Sequence, residues 1–111
     1  MGADLYIKLC YGGDQKKDSY YRDSYNNTNL LWQLGLDYWV WFAGFLNKKR
    51  ELTPAKTKKV LEIIRARHCV LDGKKELYKK EWCDYFNEKY DELVGFLEKA
   101  IELKSNIEAS I

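Results

Sequence analysis

Residues 74–109 decide the predicted fold, and they read KKELYKKEWCDYFNEKYDELVGFLEKAIELKSNIEA. This stretch contains no proline and a single glycine, Gly95. Its apolar residues recur every three or four positions, as they do on one face of an amphipathic helix. The main stripe comprises Tyr78, Trp82, Phe86, Tyr90, Leu93, Leu97 and Ile101, with Tyr85, Phe96, Leu103 and Ile107 beside it. The pattern therefore predicts one long C-terminal helix.

Such a helix is long for so small a protein. About 34 residues at 1.5 Å each would span about 50 Å, whereas a compact domain of about 100 residues has a radius of gyration near 13 Å. The helix must then bend near Gly95 or extend beyond its own domain. Because an extending helix with a wide apolar face needs a second chain to cover it, we predict a homo-oligomer.

A shorter helix precedes it. Thr53-Pro54 is a capping residue followed by proline at the first helical position, which is typical of a helix start. Asp72-Gly73 marks its end. Arg67 falls inside the apolar stripe of this helix. It either extends its charge to solvent or pairs with an acid, or it faces a ligand in a cleft.

The first half of the chain predicts shorter elements. Residues 1–11 alternate as a short strand or extended arm would, and residues 14–27 indicate a loop with at most one helical turn. A helix in two pieces follows, with capping residues at 27–29 and at Asp37, and Gly35 between the pieces. The second piece, residues 38–47, is apolar nearly all round, which indicates burial or an interface.

These elements predict a mainly α fold. We expect one domain over residues 1–111, built as a small helical bundle with a long C-terminal helix and at most one short N-terminal strand or extended arm. The 46% hydrophobic content argues against disorder, and no apolar run approaches the roughly 20 residues that span a bilayer. We therefore expect no membrane partner. The 15% aromatic content, with nine Tyr and four Trp, exceeds what a small core needs.

Charge is distributed unevenly along the chain. Residues 1–47 carry a net charge of −1, residues 48–80 carry +8 and residues 81–111 carry −5, which leaves +2 in total. The basic centre indicates an anionic partner, or else it pairs with the acidic C-terminal helix within or between subunits. General nucleic-acid binding is not expected, because such proteins carry a larger basic excess.

The cysteines and the histidine do not form a recognisable catalytic or metal motif. Cys10, Cys69 and Cys83 are an odd number without a C-x-x-C spacing, which is typical of reduced thiols in a cytoplasm. His68 is the only histidine. Zinc sites need about four ligands at short spacing. We predict no metal, no cofactor and no catalysis.

The polar segment YYRDSYNNTN at residues 20–29 is the candidate ligand site. Tyrosine rings stack on bases, arginine matches phosphate, and short polar residues before a helix start favour anions. The candidate ligand-binding residues are Tyr20, Tyr21, Arg22, Asp23, Ser24, Tyr25, Asn26, Asn29, Trp32 and Arg67. The alternative is structural: Arg22, Asp23 and the Ser and Asn groups brace a loop over the aromatic core. Neither G-x-x-x-x-G-K-[ST] nor G-x-G-x-x-G occurs.

Two motifs resemble a known family. MGADLYI at residues 1–7 and YYRDSYNNTNLLWQLGLDYW at residues 20–39 are similar to short uncharacterised phage and prophage proteins with the pattern MGADLYI, YFRDSYN and NLLWxLGLSWW. Here Tyr21 replaces Phe, and Asp37-Tyr38 replaces Ser-Trp. The resemblance covers about a quarter of the chain. It implies a phage protein in a bacterial cytoplasm, with a candidate pocket formed by residues 21–26, Leu31 and Trp32.

The leading functional hypothesis combines these observations. We expect a non-catalytic phage anti-defence protein that binds and sequesters a nucleotide-like immune signal. The alternatives are an inhibitor that blocks a host defence enzyme through an aromatic surface, and a structural or regulatory phage component.

Overall fold

The computed structural model describes residues 2–10, 19–24, 26 and 28–111, with the backbone alone at residue 10. Its elements are β1 (Gly2–Ile7), β2 (Tyr20–Ser24), α1 (Leu30–Gln33), β3 (Glu51–Leu52), α2 (Pro54–Ala66), α3 (His68–Asp72), α4 (Lys80–Glu102) and β4 (Ile107–Ser110). A 3-10 turn follows β1 at Lys8–Cys10. Between α1 and β3 lie a π-helical turn, Tyr38–Phe42, and a 3-10 turn, Ala43–Phe45.

The predicted helical bundle is wrong, because the described chain contains a four-stranded antiparallel sheet with strand order β2-β1-β4-β3. The predicted N-terminal strand is present as β1, where Ala3, Leu5 and Ile7 are buried and the residues between them are only partly buried. Its neighbours come from distant parts of the chain: Leu5 pairs with Tyr21 of β2 and with Ala109 of β4. Helices and strands share one core, so the fold is α+β.

One face of the sheet packs on the helices. The buried side chains of α2 and α4 belong to the same core as the inward residues of β1 and β4. The largest fully buried side chains are Tyr38, Phe42, Phe96, Leu5, Ile7, Leu30, Leu31, Leu34, Leu52, Ile64, Leu93 and Leu97.

The loop predicted over residues 14–27 is wrong where the structure describes it, since residues 20–24 form β2. Tyr21 and Asp23 of this strand are buried, whereas Tyr20 and Arg22 are exposed. Because the inward residues of β2 are a tyrosine and an aspartate, its sequence lacks the alternation of apolar and polar residues that predicts a strand. Residues 14–18, 25 and 27 of the predicted loop lie outside the described residues.

The capping predictions are confirmed. The Asn29 side chain accepts a hydrogen bond from Trp32 N at 2.8 Å, and Thr53 caps α2 ahead of Pro54. The Asp37 side chain accepts from the backbone N–H groups of Val40 and Trp41. These caps satisfy orphan donors at helix starts and place the elements where the sequence indicates them. The single helix predicted between Pro54 and Asp72 is wrong, because it is divided at Arg67 into α2 and α3; Gly73 follows α3 as its C-cap.

The long C-terminal helix is wrong at both ends. Residues 74–79 form turns before α4, and α4 ends at Glu102 because Lys104 adopts a left-handed backbone with φ 52°. Lys104 N donates to Ile101 O and Ser105 N donates to Ala100 O, which is the Schellman arrangement. The chain then enters β4, so Ile107 is a strand residue.

The shorter helix removes the geometric premise for a homo-oligomer. The 23 residues of α4 span about 35 Å. This is shorter than the roughly 50 Å expected of 34 residues, and the chain after α4 returns to the sheet as β4. None of the helices in the described part of the chain combines the length and apolarity needed to cross a membrane.

Two glycines offer a matched test of the backbone. A Cβ at Gly95 would meet no atom within 4 Å, so Gly95→Ala in α4 should raise the free energy of unfolding by about 1 kcal/mol. Gly35 has φ 78°, and a Cβ there would lie 2.3 Å from Arg67 Nη2. Gly35→Ala should therefore lower it by about 2 kcal/mol. Urea denaturation measures both; stabilisation by Gly35→Ala would contradict the left-handed backbone.

Candidate functional site

The strand β2 divides the predicted ligand residues between two faces of the sheet. Tyr21 and Asp23 point into the core, with 2% and 3% of their surface exposed. Tyr20 and Arg22 lie on the opposite face, where the Tyr20 hydroxyl donates to Asp4 and Arg22 Nη1 lies 3.9 Å from Asp4 Oδ1. The segment therefore does not form one pocket, because neighbouring strand residues point in opposite directions.

The Asp23 carboxyl group is the centre of a buried hydrogen-bond network. Its Oδ2 accepts from Tyr38 Oη at 2.7 Å, from Leu30 N at 2.8 Å and from Tyr21 Oη at 3.2 Å. Its Oδ1 accepts from Ser24 N at 2.9 Å. Four donors surround it, so the structural interpretation holds for Asp23 and Tyr21: they join β2 to α1 and to the π-helical turn.

The two phenols of this network stay protonated over a wide pH range. Burial raises the pKa of Tyr21 well above 10.0, and the negative charge of Asp23 raises it further. Burial likewise raises the pKa of Tyr38, with added repulsion from Tyr21 and Asp23. Both hydroxyls therefore act as donors to Asp23 rather than as general bases.

Asn26 and Asn29 organise the turn between β2 and α1. Asn26 Oδ1 accepts from Thr28 N at 2.9 Å and from Ser24 Oγ at 2.8 Å. Asn29 Nδ2 donates to Asn26 O at 2.7 Å, while its oxygen caps α1. Asn29 is thus a buried structural residue, and Tyr25 lies outside the described residues.

Arg67 supports the fold rather than a cleft. Its Nε donates to Leu34 O at 2.9 Å, at the C-terminal end of α1, and its Nη2 lies over Gly35. This contact satisfies a carbonyl that the helix leaves unpaired. Trp32 is half exposed on α1 and does not line the groove described next.

A groove separates the β2–α1 turn from the start of α4. A cavity of about 460 Å³ is lined by Ser24, Asn26, Thr28, Glu81, Trp82 and Tyr85. A second cavity of about 270 Å³ shares Ser24 and Tyr85 with it and adds Arg22, Asp23 and Lys89. We call the two together the α4 groove. The volume of the larger cavity lies within the range of small-molecule sites.

The aromatic side chains of the α4 groove pack against the buried ring of Phe86. Trp82 and Tyr85 meet edge to face at 5.8 Å, and each contacts the buried ring of Phe86, at 5.7 Å and 5.8 Å. Trp82 is 42% exposed and Tyr85 37% exposed. The rings thus keep free surface for a ligand while their orientation is restricted by packing.

The other end of the groove holds two cations, Arg22 and Lys89, together with the buried carboxyl group of Asp23. Lys89 Nζ donates to Arg22 O at 2.8 Å, lies 3.4 Å from Glu92 Oε2 and sits 5.3 Å from the centre of the Tyr21 ring. Arg22 is 59% exposed in its side chain. Two cations thus border the smaller cavity, beside the hydroxyl of Ser24.

The sequence predicts most of one side of this groove and none of the other. The sequence predicts Arg22, Asp23, Ser24 and Asn26 but not Thr28, Glu81, Trp82, Tyr85 or Lys89. The helical stripe places Trp82 and Tyr85 on the apolar face of a longer helix, and only the tertiary structure shows that they face Ser24, Asn26 and Thr28.

The described residues contain no group of three or more His, Cys, Asp and Glu side chains placed to hold a metal ion. His68 Nε2 lies 3.2 Å from Asn87 Oδ1, and its ring lies 4.4 Å from the ring of Tyr90. These contacts engage the imidazole with α4. No family model, curated protein or solved structure matches the chain.

The buried phenols predict a loss of stability at alkaline pH. Because folding raises the pKa of Tyr21 and Tyr38, their contribution is complete below the unfolded pKa of 10.0 and is lost as the pH rises toward the folded value. Tyr21→Phe should reduce the stability lost between about pH 10 and 11 by about 1 kcal/mol. Guanidinium denaturation at both pH values measures this.

The exposed Tyr85 provides the control, since Tyr85→Phe removes a phenol outside the Asp23 network. It should leave the alkaline loss as in the wild type. An equal effect of the two substitutions would contradict the buried network.

Proposed function

We propose that this protein binds a nucleotide-like anionic small molecule in the α4 groove and acts by sequestering it, without catalysis. The main support for this proposal is that the aromatic rings of Trp82 and Tyr85 lie beside hydroxyl and amide groups. Two cations, Arg22 and Lys89, lie next to them. A base would stack on the rings, and its phosphate would lie toward Arg22 and Lys89.

The polar groups of the groove suit the rest of such a ligand. Ser24 and Thr28 present hydroxyls that can donate or accept, and the Glu81 carboxyl group accepts from N–H groups of a base edge. Glu81 repels phosphate, which favours binding with the phosphate at the Arg22 end. The orientation of the ligand thus follows from the charges at the two ends of the groove.

The biological setting of the proposal rests on the resemblance to phage proteins. In that setting the protein acts in the cytoplasm of a bacterial host, and the ligand is a nucleotide signal of host immunity. Removing the signal by stoichiometric binding requires affinity but no chemistry. This agrees with a groove bordered by stacking and charged groups.

Isothermal titration calorimetry tests the binding step. The ligands are a panel of cyclic dinucleotides, cyclic trinucleotides and ADP-ribose derivatives. Trp82→Ala should weaken binding of the responding ligand about tenfold, because stacking on one ring contributes about 1–3 kcal/mol. Arg22→Ala should also weaken it while preserving the fold, since its side chain is largely exposed.

Trp39→Ala is the matched control, because Trp39 is 49% exposed and does not line the groove. The Trp39→Ala variant should bind the responding ligand with the affinity of the wild type. Absence of heat across the whole panel, or equal loss in the two tryptophan variants, would refute the proposal.

A second candidate function is inhibition of a host defence protein through exposed aromatic and aliphatic side chains. Val40 is 77% exposed, Leu77 is 76% exposed and Trp32 is 52% exposed. Of these side chains, tryptophan is of a type enriched in protein interfaces. This function predicts co-purification with one host protein and no heat with nucleotides.

Two exposed apolar side chains of the π-helical turn support our proposal of a homo-oligomer. Trp39 and Val40 lie together on the π-helical turn, and a second copy would cover them. Light scattering after gel filtration should give a multiple of 13.2 kDa, and Val40→Asp should shift the mass toward the monomer. Leu9→Asp, which changes an apolar residue 69% exposed elsewhere, should not. A monomeric wild type would refute the oligomer.

A further inference from the structure

The sheet has a second face, which meets the α4 groove at Arg22, on the edge strand β2. The cross-strand neighbours Tyr6, Tyr20 and Glu108 lie on it, as do Asp4, Arg22 and Ser110. The core side chains of β1 and β4 point the other way. We call this surface the outer face.

Two tyrosines form an aromatic platform on the outer face. Tyr6 and Tyr20 are direct cross-strand partners, and their rings stack with centroids 4.9 Å apart and an interplanar angle of 28°. Tyr20 is 42% exposed. Its hydroxyl donates to Asp4, a hydrogen bond that raises the pKa of Tyr20 and holds its ring in one orientation.

A tight turn places two cations beside this platform. Asn47 Oδ1 accepts from Lys49 N at 2.9 Å and from Glu51 N at 3.1 Å, which fixes the turn backbone. Arg50 has φ 63°, a left-handed conformation that costs a non-glycine residue about 1–2 kcal/mol. The Arg50 side chain also makes a contact beyond the turn, since its Nη2 donates to Ile111 O at 3.2 Å.

The turn and the sheet enclose a cavity of about 330 Å³. Tyr6, Lys49, Arg50, Glu108 and Ser110 are among its lining residues. An aromatic ring, a hydroxyl and two cations thus meet in one place, which is a different part of the molecule from the α4 groove.

The charged side chains of the outer face leave an excess of positive charge at this cavity. Asp4 is engaged by Tyr20 and lies 3.9 Å from Arg22, and Lys8 Nζ lies 2.8 Å from Glu51 Oε2. At the cavity, two cations oppose the single acid Glu108. Positive charge is therefore concentrated beside the Tyr6 end of the tyrosine platform.

We propose that the outer face binds a short single strand of nucleic acid. Bases stack on Tyr6 and Tyr20, and phosphates lie against Lys49 and Arg50. A duplex does not fit this chemistry, because its bases are already stacked and paired. The small charge excess predicts few phosphate contacts, which distinguishes this surface from a general coating of DNA or RNA.

Fluorescence anisotropy with labelled hexathymidylate tests the proposal. Tyr6→Ala should weaken binding about tenfold, and Tyr6→Phe, which keeps the ring, should restore it. Lys49→Ala/Arg50→Gly should also weaken binding and reduce the slope of log K against log salt by about 1.4, since two phosphate contacts contribute about 0.7 each.

Replacing Arg50 with glycine distinguishes an effect on binding from an effect on stability. Gly suits the left-handed backbone at position 50, so Arg50→Gly should preserve or raise the free energy of unfolding while binding falls. Lys58→Ala/Lys59→Ala removes the same charge from the exposed part of α2 and should leave affinity and salt slope near those of the wild type.

Four results would overturn the proposal: no binding of hexathymidylate at low salt, equal binding of a duplex of the same length, equal losses in the two double variants, or equal affinity for thymidine monophosphate. The last would indicate a small-molecule site. Trp82→Ala should not change hexathymidylate binding, so failure on the outer face leaves the α4 groove proposal separately testable.

Discussion

The hydrogen bonds to the Asp23 carboxyl group are the constraint on which the rest of the structure depends. They join three segments that are apart in the chain: β2 through Tyr21, α1 through the Leu30 N–H, and the π-helical turn through Tyr38. A buried carboxyl group is costly unless donors surround it, so this arrangement holds only when all three segments are in place. It sets the positions of Ser24, Asn26 and Thr28, which form one wall of the α4 groove.

A second acid performs a similar role at the other end of the sheet. Glu51 of β3 accepts from Asn106 Nδ2 and from Lys8 Nζ, both at 2.8 Å, and these two bonds lower its pKa. They tie β3 to the chain entering β4 and to the end of β1. Both edge strands are thus anchored by side chains as well as by backbone pairing. The two proposed binding surfaces lie beside these anchored edges: the α4 groove beside β2, and the cavity at Lys49 and Arg50 beside β3.

Local signals in the sequence predicted the elements that depend on local physics. The caps at Asn29, Asp37 and Thr53 and the alternation of β1 are readable because neighbouring residues determine them. The sheet was missed because its partners are remote: Leu5 pairs with Ala109 across the length of the chain. The end of α4 was missed because Lys104, rather than glycine, takes the left-handed position.

Local sequence signals likewise predicted only one side of the candidate site, because the other side is brought to it by tertiary packing. Residues 22–26 stood out by composition, but strand alternation turned Tyr21 and Asp23 into core residues. Trp82 and Tyr85 carry no local signal for binding, because a helical stripe alone does not show which part of it stays uncovered. Their exposure follows from where α4 begins relative to the β2–α1 turn, which is a consequence of tertiary packing.

Denaturation of an Asp23→Ala variant tests whether the Asp23 carboxyl group holds β2, α1 and the π-helical turn together. The substitution leaves the Tyr21 and Tyr38 hydroxyls and the Leu30 N–H without their acceptor, so the free energy of unfolding should fall by about 3 kcal/mol or more. Asp72→Ala, at an acid with a half-exposed side chain, should change it by less than about 0.5 kcal/mol. Equal small losses in the two variants would contradict the account, because Asp23 would then not hold β2, α1 and the π-helical turn together.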